Sequence, residues 1–164
     1  MALMAGAGCK KQEQPAAERI PEPAGEVTVD FSIPSLTSDE SIQLSAYKGD
    51  VVLLDFWATW CPPCRSELPE LNKLYHELKA DGFTIIGMTL DKGAPAEVAQ
   101  LVAPFKLDYP VGLASQVVQE LPSFQTFRAI PSKFIIDRAG NIVAGPIQGA
   151  LPIAQLRREI EKYL

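Results

Sequence analysis

A chain of 164 residues, 47% hydrophobic and 21% charged, has enough apolar content for one packed domain and too little length for two. Its 20 acidic and 15 basic residues give a formal net charge of −5, which argues against a nucleic-acid partner, since that would call for a basic patch. No apolar run is long enough to span a bilayer, and the cysteines are Cys9, Cys61 and Cys64.

Met1 to Cys9 sets small residues ahead of a cysteine, like the tail end of a bacterial lipoprotein signal. A basic leading region is missing, however, and Gly6 stands where a larger aliphatic residue is usual. Two readings of Cys9 stay open: a site of lipidation, or a chance cysteine in a polar tail. Lys10 to Glu26 is rich in Pro, Glu, Ala, Gln and Lys, the composition of a solvated linker. Residues 1–28 are therefore expected to be a signal remnant or lipoprotein tether with a disordered linker, and residues 29–164 the folded domain.

Short strands near Val29–Ile33 and Ser41–Leu44 flank a polar turn, and Lys48-Gly49-Asp50 introduces a central strand, Val51–Trp57. A long helix follows from about Pro62 to Ala80, with Leu68, Leu71, Leu74, Tyr75 and Leu78 on one face and Gly82 past its end. Pro69 inside it breaks a helical hydrogen bond and should kink the axis, the alternative being a helix that ends at Leu68 and restarts. Phe83–Leu90 is almost continuously apolar, as a strand covered on both faces should be. Next come a helix over Ala94–Phe105 with Val98, Leu101 and Val102 inward, a strand over Tyr109–Leu113, and a short helix over Gln116–Leu121 stopped by Pro122. Lys133–Asp137 and Asn141–Ala144, joined by Arg138-Ala139-Gly140, read as an antiparallel hairpin, and Ile153–Leu164 as a closing amphipathic helix. Parallel strands joined by a helix imply a right-handed crossover with the cysteines at the C-terminal end of the sheet.

The chemistry lies in Trp60-Cys61-Pro62-Pro63-Cys64, directly after the central strand. Two cysteines spaced C-x-x-C on the first turn of a helix make and break disulfides. With Pro62 at the first helical position, Cys61 falls at the N-cap, its sulfur toward the unpaired amides. The helix-terminus field lowers a thiol pKa by roughly one unit, and N–H···S contacts add to that. Cys61 is thus the expected nucleophile, and Cys64, one turn further in, the resolving thiol. A zinc site would need a second pair of ligands, and the chain offers only Cys9 and His76. A purely structural bridge over so short a loop would remove little chain entropy. His76 lies well past the cysteines and reads as a surface residue.

Four segments carry a family resemblance: Asp55-Phe56-Trp57-Ala58-Thr59-Trp60-Cys61-Pro62-Pro63-Cys64, Gly82-Phe83-Thr84-Ile85-Ile86-Gly87, Tyr109-Pro110-Val111, and Ile130-Pro131-Ser132 with Phe134-Ile135-Ile136-Asp137. At these residues the chain resembles the thioredoxin superfamily, and within it the TlpA/ResA-like extracytoplasmic thiol-disulfide oxidoreductases. The resemblance implies an α/β fold of the thioredoxin-like three-layer type: a central mixed sheet, an N-terminal strand extension and a central α/β insertion. It implies reduction of protein disulfides outside the cytoplasm with no cofactor beyond the Cys61–Cys64 disulfide. The partners it implies are protein thiols and disulfides, an upstream membrane or periplasmic electron donor, and a lipid anchor if Cys9 is modified.

By the same resemblance Asp55 matches a buried acid that accepts the Cys64 proton; the bland alternative is an acid at a solvated strand edge. The lysine that commonly accompanies this acid falls on Gly87 here. Pro131 matches a proline that is cis in the superfamily, which would free the Ile130 backbone to pair with an extended substrate and keep metal from the thiolates. Trp60, Pro62, Ile130 and Pro131 form the implied substrate surface, with plain packing the alternative for Trp60 and the core the expected place of Trp57. The resemblance extends to a role in cytochrome c maturation, but the glutamate that ResA-like proteins carry near the end of the strand after the active-site helix falls on Asp91 or Lys92 here, so a narrow assignment to apocytochrome c reduction does not follow. A thioredoxin-fold peroxidase would need a P-x-x-x-T-x-x-C cysteine, and a copper-delivery protein C-x-x-x-C with a later histidine; neither pattern is present.

Overall fold

The structure, a computed structural model, describes residues 27–164. Its strands and helices are β1 (Val27–Thr28), β2 (Ser32–Pro34), β3 (Ser41–Gln43), β4 (Val51–Trp57), α1 (Pro62–Leu78), β5 (Phe83–Thr89), α2 (Pro95–Val102), β6 (Val111–Leu113), α3 (Ala114–Glu120), β7 (Ser132–Ile136), β8 (Asn141–Gln148) and α4 (Ile153–Ile160). Six strands form a mixed sheet in the order β1-β8-β7-β4-β5-β6, and β2 and β3 pair as a separate antiparallel hairpin. Val27–Thr28 pairs with β8, so the sheet begins two residues before the expected boundary at Val29. Cys9 and the linker lie outside the described residues.

Every residue of β4 and of β5 is buried, which is why both segments read as unbroken apolar runs. On one face Val51, Leu53 and Trp57 pack against Leu68, Leu71, Leu74 and Leu78 of α1 and Leu156 and Ile160 of α4. On the other, Val52, Leu54 and Phe56 meet Ile33, Ile42, Val117 and Phe124. Helix, sheet, and helix with hairpin thus make the three layers that the family resemblance implied. The insertion, α2, β6 and α3, adds its strand to the sheet edge beside β5.

At Pro69 the divided-helix alternative falls, and at Leu101 the expectation needs correction. Pro69 does not divide α1: the helix is continuous, and Pro69 sits on its exposed face, where the missing N–H costs the single helical bond to the Arg65 carbonyl. Leu101 is 51% exposed, not inward, while Val98 and Val102 are buried. With only eight residues in α2, the i, i+4 pair covers the contact and Leu101 falls off its edge.

Candidate active site

β4 and β5 run parallel, with Trp57 opposite Thr89, so their C-terminal ends lie together. β7 runs antiparallel to β4, with Ser132 opposite Phe56, so the residues entering β7 reach the same end of the sheet. Ile130 and Pro131 arrive there, joined by a cis peptide bond. The loop from β4 into α1 carries the cysteines to this junction.

Cys61 caps α1 from an extended backbone, with Pro62 and Pro63 occupying the first two helical positions. It is bonded to Cys64 with an S–S distance of 2.11 Å. The Cys64 N–H donates to Cys61 Sγ at 3.3 Å, the contact through which a helix start favours negative charge on sulfur. Cys61 Sγ lies 4.0 Å from the Ile130 carbonyl oxygen. In this oxidised state Cys61 is 4% and Cys64 1% exposed, whereas Trp60 beside them is 64% exposed and Pro62 is also at the surface. Trp57 is in the core.

The loop before Cys61 is held from β5. Asp91, two residues past the end of that strand, accepts from the Thr59 N–H at 2.9 Å and the Thr59 hydroxyl at 2.7 Å, and also from the Thr89 hydroxyl. The place where the sequence allowed for a glutamate therefore holds a buried aspartate that faces the loop.

Asp55 is buried beneath α1, so the solvated-edge alternative does not describe it. It sits in one row across the sheet, between Gly87 of β5 and Lys133 of β7. A side chain at Gly87 would come within 3.2 Å of Trp57 Nε1 and of Val111 and within 3.3 Å of the Tyr109 ring, so that position has no room for a lysine. The cation comes from the opposite neighbour. Lys133, fully buried, places Nζ 3.3 Å from Asp55 Oδ1 and hydrogen-bonds Glu67 Oε2 at 2.9 Å.

Burial pushes the Asp55 carboxyl up, and the Lys133 charge opposes this without cancelling it. Burial likewise raises Glu67, with Lys133 opposing it and the like charge of Asp55 adding to it. For Lys133 burial works against the charge, but Asp55 and Glu67 together outweigh it and hold its pKa above the usual lysine range. Tyr109 is raised well above the ordinary phenol by burial, with the charges of Asp55 and Glu67 adding to it.

Sequence reasoning missed Lys133 and Glu67. The signals were a lysine next to the apolar run Phe134-Ile135-Ile136 and a glutamate three residues after Cys64, toward the inward face of α1. His76, half-exposed, pairs with Asp108 at 2.8 Å, tying α1 to the segment before β6. Among the described residues no three His, Cys, Asp or Glu side chains are grouped as metal ligands.

The sequence matches the AhpC/TSA family over residues 24–144. It is 32% identical over 135 residues to a protein of Oceanobacillus iheyensis named thiol-disulfide oxidoreductase ResA, covering 80% of this chain and 68% of that protein. A protein of the same name from Geobacillus kaustophilus is 30% identical over 145 residues, covering 88% and 80%. Among solved structures, a thiol:disulfide interchange protein of the thioredoxin family from Chlorobium tepidum superposes with a TM-score of 0.73 at 27% identity, covering 86% of this chain and 98% of the other.

Proposed function

The chain belongs to the AhpC/TSA family as a ResA-like thiol-disulfide oxidoreductase, and from that premise we propose that it reduces protein disulfides outside the cytoplasm through Cys61 and Cys64. The observation that carries this reading is Cys61 at the N-cap of α1, contacted by the Cys64 N–H, with an exposed indole on one side and the Ile130 carbonyl on the other. In the reduced protein the Cys61 thiolate attacks a substrate disulfide, forming a mixed disulfide and releasing one substrate thiolate. Cys64 then attacks Cys61 Sγ, closing the Cys61–Cys64 bond and releasing the second substrate thiolate. Two electrons pass from the dithiol to the substrate, so an upstream donor must restore the thiols.

Asp55 takes the proton that Cys64 loses; its burial and raised pKa suit it to that role. Trp60, Pro62, Ile130 and Pro131 bind the substrate chain, with Ile130 offering backbone groups for strand addition. The likeness to the ResA relatives supports an extracytoplasmic site, and a lipid anchor at Cys9 rests on the small residues before that cysteine alone. No helix among the described residues is long and apolar enough to cross a membrane.

Direction is tested by the reduction potential against glutathione. Reducing folds of this type lie near about −270 mV and strong oxidants near about −120 mV, a gap of roughly 7 kcal/mol. A potential below about −200 mV with catalysed reduction of insulin is expected. A potential near about −120 mV would reverse the proposed direction.

A further inference from the structure

The end of the sheet that carries the cysteines is basic at its surface, although the chain as a whole has a formal net charge of −5. Residues 58–66, 90–95, 113–116, 126–132 and 148–152 meet there, at the paired ends of β4, β5, β6, β7 and β8. The only acid in these segments is Asp91, which is buried and accepts hydrogen bonds from Thr59 and Thr89. Their cations are Arg65, Lys92 and Arg128, all exposed. The acids that next follow Arg65 and Lys92 in the chain are engaged as well. Glu67 turns inward to Lys133 and to the Leu151 N–H, and Glu97 closes the first turn of α2 by accepting from the Ala94 N–H at 3.1 Å. Among the described residues none of the three cations belongs to an ion pair.

Each cation stands on a segment that touches the exchange site. The Arg65 N–H donates to the Cys61 carbonyl at 3.1 Å, and residues four apart on a helix share a face, so Arg65 lies one turn along from Cys61. Lys92 follows Asp91, which fixes Thr59 beside the exposed Trp60. Arg128 precedes Ile130 by two residues; its N–H donates to Gln148 Oε1 at 2.7 Å and its guanidinium to the Gln125 carbonyl at 3.0 Å. We propose that this rim selects disulfides flanked by carboxylates: the substrate is a polypeptide whose cystine lies in an acidic segment, with Asp and Glu side chains meeting Arg65, Lys92 and Arg128 as its sulfur reaches Cys61. This substrate class rests on the disulfide-reducing reading above. The exchange of sulfur bonds is the same for every substrate, and the rim acts on the encounter that precedes it.

A bare thiolate discriminates the other way. Carboxylates beside a disulfide repel the incoming thiolate and disfavour the thiolate that leaves, so a small dithiol reduces an acidic disulfide more slowly than a neutral or basic one. Complementary charge on the protein reverses that order, since steering raises encounter rates by about 10–10³-fold. The three cations are exposed, so screening, which acts over about 10 Å at 0.1 M salt, removes the advantage as salt rises.

The test gives the reduced full chain synthetic peptides that share one disulfide and differ only in its flanks: acidic, neutral or basic. Each rate is divided by that of dithiothreitol on the same peptide. The acidic peptide should lead the neutral one by about tenfold at low salt and by less than about twofold at about 0.5 M salt, with the basic peptide slowest. The ratio of acidic to neutral rates is the readout, because a lost cation also changes the reactivity of Cys61 and does so for both peptides alike. Arg65→Gln, Lys92→Gln and Arg128→Gln should each lower this ratio, and the triple variant should bring it to about one. An acidic peptide with no lead in the parent, or a lead that the triple variant leaves in place, overturns the rim. If all the peptides are reduced equally, the disulfide-reducing reading stands and the selectivity falls. If none is reduced, that reading falls with it.

Discussion

Asp55 faces α1 from the middle of an otherwise apolar strand, and its raised pKa has a consequence for stability. A carboxyl whose pKa is higher folded than unfolded is harder to ionise in the native state, so its cost begins near the unfolded value of about 4 and is complete above the folded one. Asp55→Asn removes that cost and leaves Lys133 and Glu67 as a one-to-one pair. The variant should therefore be more stable at pH 7 by about 1–3 kcal/mol, the scale of a buried polar group whose desolvation its partner only partly offsets, and the gain should vanish below about pH 4. Urea midpoints at the two pH values check this, and equal midpoints at pH 7 would contradict it. Asp55 was legible because an acid between strong apolar neighbours stands out. Lys133 was not, because a lysine at the start of a hairpin strand reads as a solvent-facing position. Only the pairing of β4 with β7 makes it the neighbour of Asp55.

At the scale of elements, the loop that delivers Cys61 is tied to β5 through Asp91. Hydrogen bonds contribute about 0.5–1.5 kcal/mol each net, and removing all three leaves the Thr59 N–H without its partner in a partly buried place. Asp91→Ala should cost on the order of 3 kcal/mol and slow disulfide reduction, because the turn from Thr59 to Cys61 loses its fixed geometry. Leu101→Ala, on the exposed edge of α2, should change stability by no more than about 0.5 kcal/mol. Denaturation midpoints and turnover measured side by side test the contrast; equal effects would mean that Asp91 does not hold the loop. The elements themselves were legible where one physical signal dominated. α1 showed its leucine stripe, β4 and β5 their apolar runs, and the hairpin its Arg138-Ala139-Gly140 turn. Leu101 was misplaced because periodicity gives the direction of a face and not its width. The binding of Asp91 to Thr59 was hidden because those residues are 32 positions apart and meet only through the parallel pairing.

For the molecule as a whole, the strand order β8-β7-β4-β5-β6 gathers three chain segments at one end of the sheet: the cap of α1, the Asp91 turn and the Ile130–Pro131 loop. The fold was legible in outline because the cysteine motif, the apolar strands and the proline loop occur in one order. The inner charge group was not, since its members come from β4, α1 and β7 and become neighbours only in the assembled layers. Exchange of disulfides at that junction, with Cys61 attacking and Cys64 resolving, is what the account rests on. The most direct test gives reduced parent, Cys61→Ser and Cys64→Ser proteins a disulfide-bonded protein such as insulin and reads both turnover and covalent adducts. The parent should turn over, Cys64→Ser should stall as a mixed disulfide through Cys61, and Cys61→Ser should do neither. Turnover or trapping by Cys61→Ser, with Cys64→Ser inert, would contradict it.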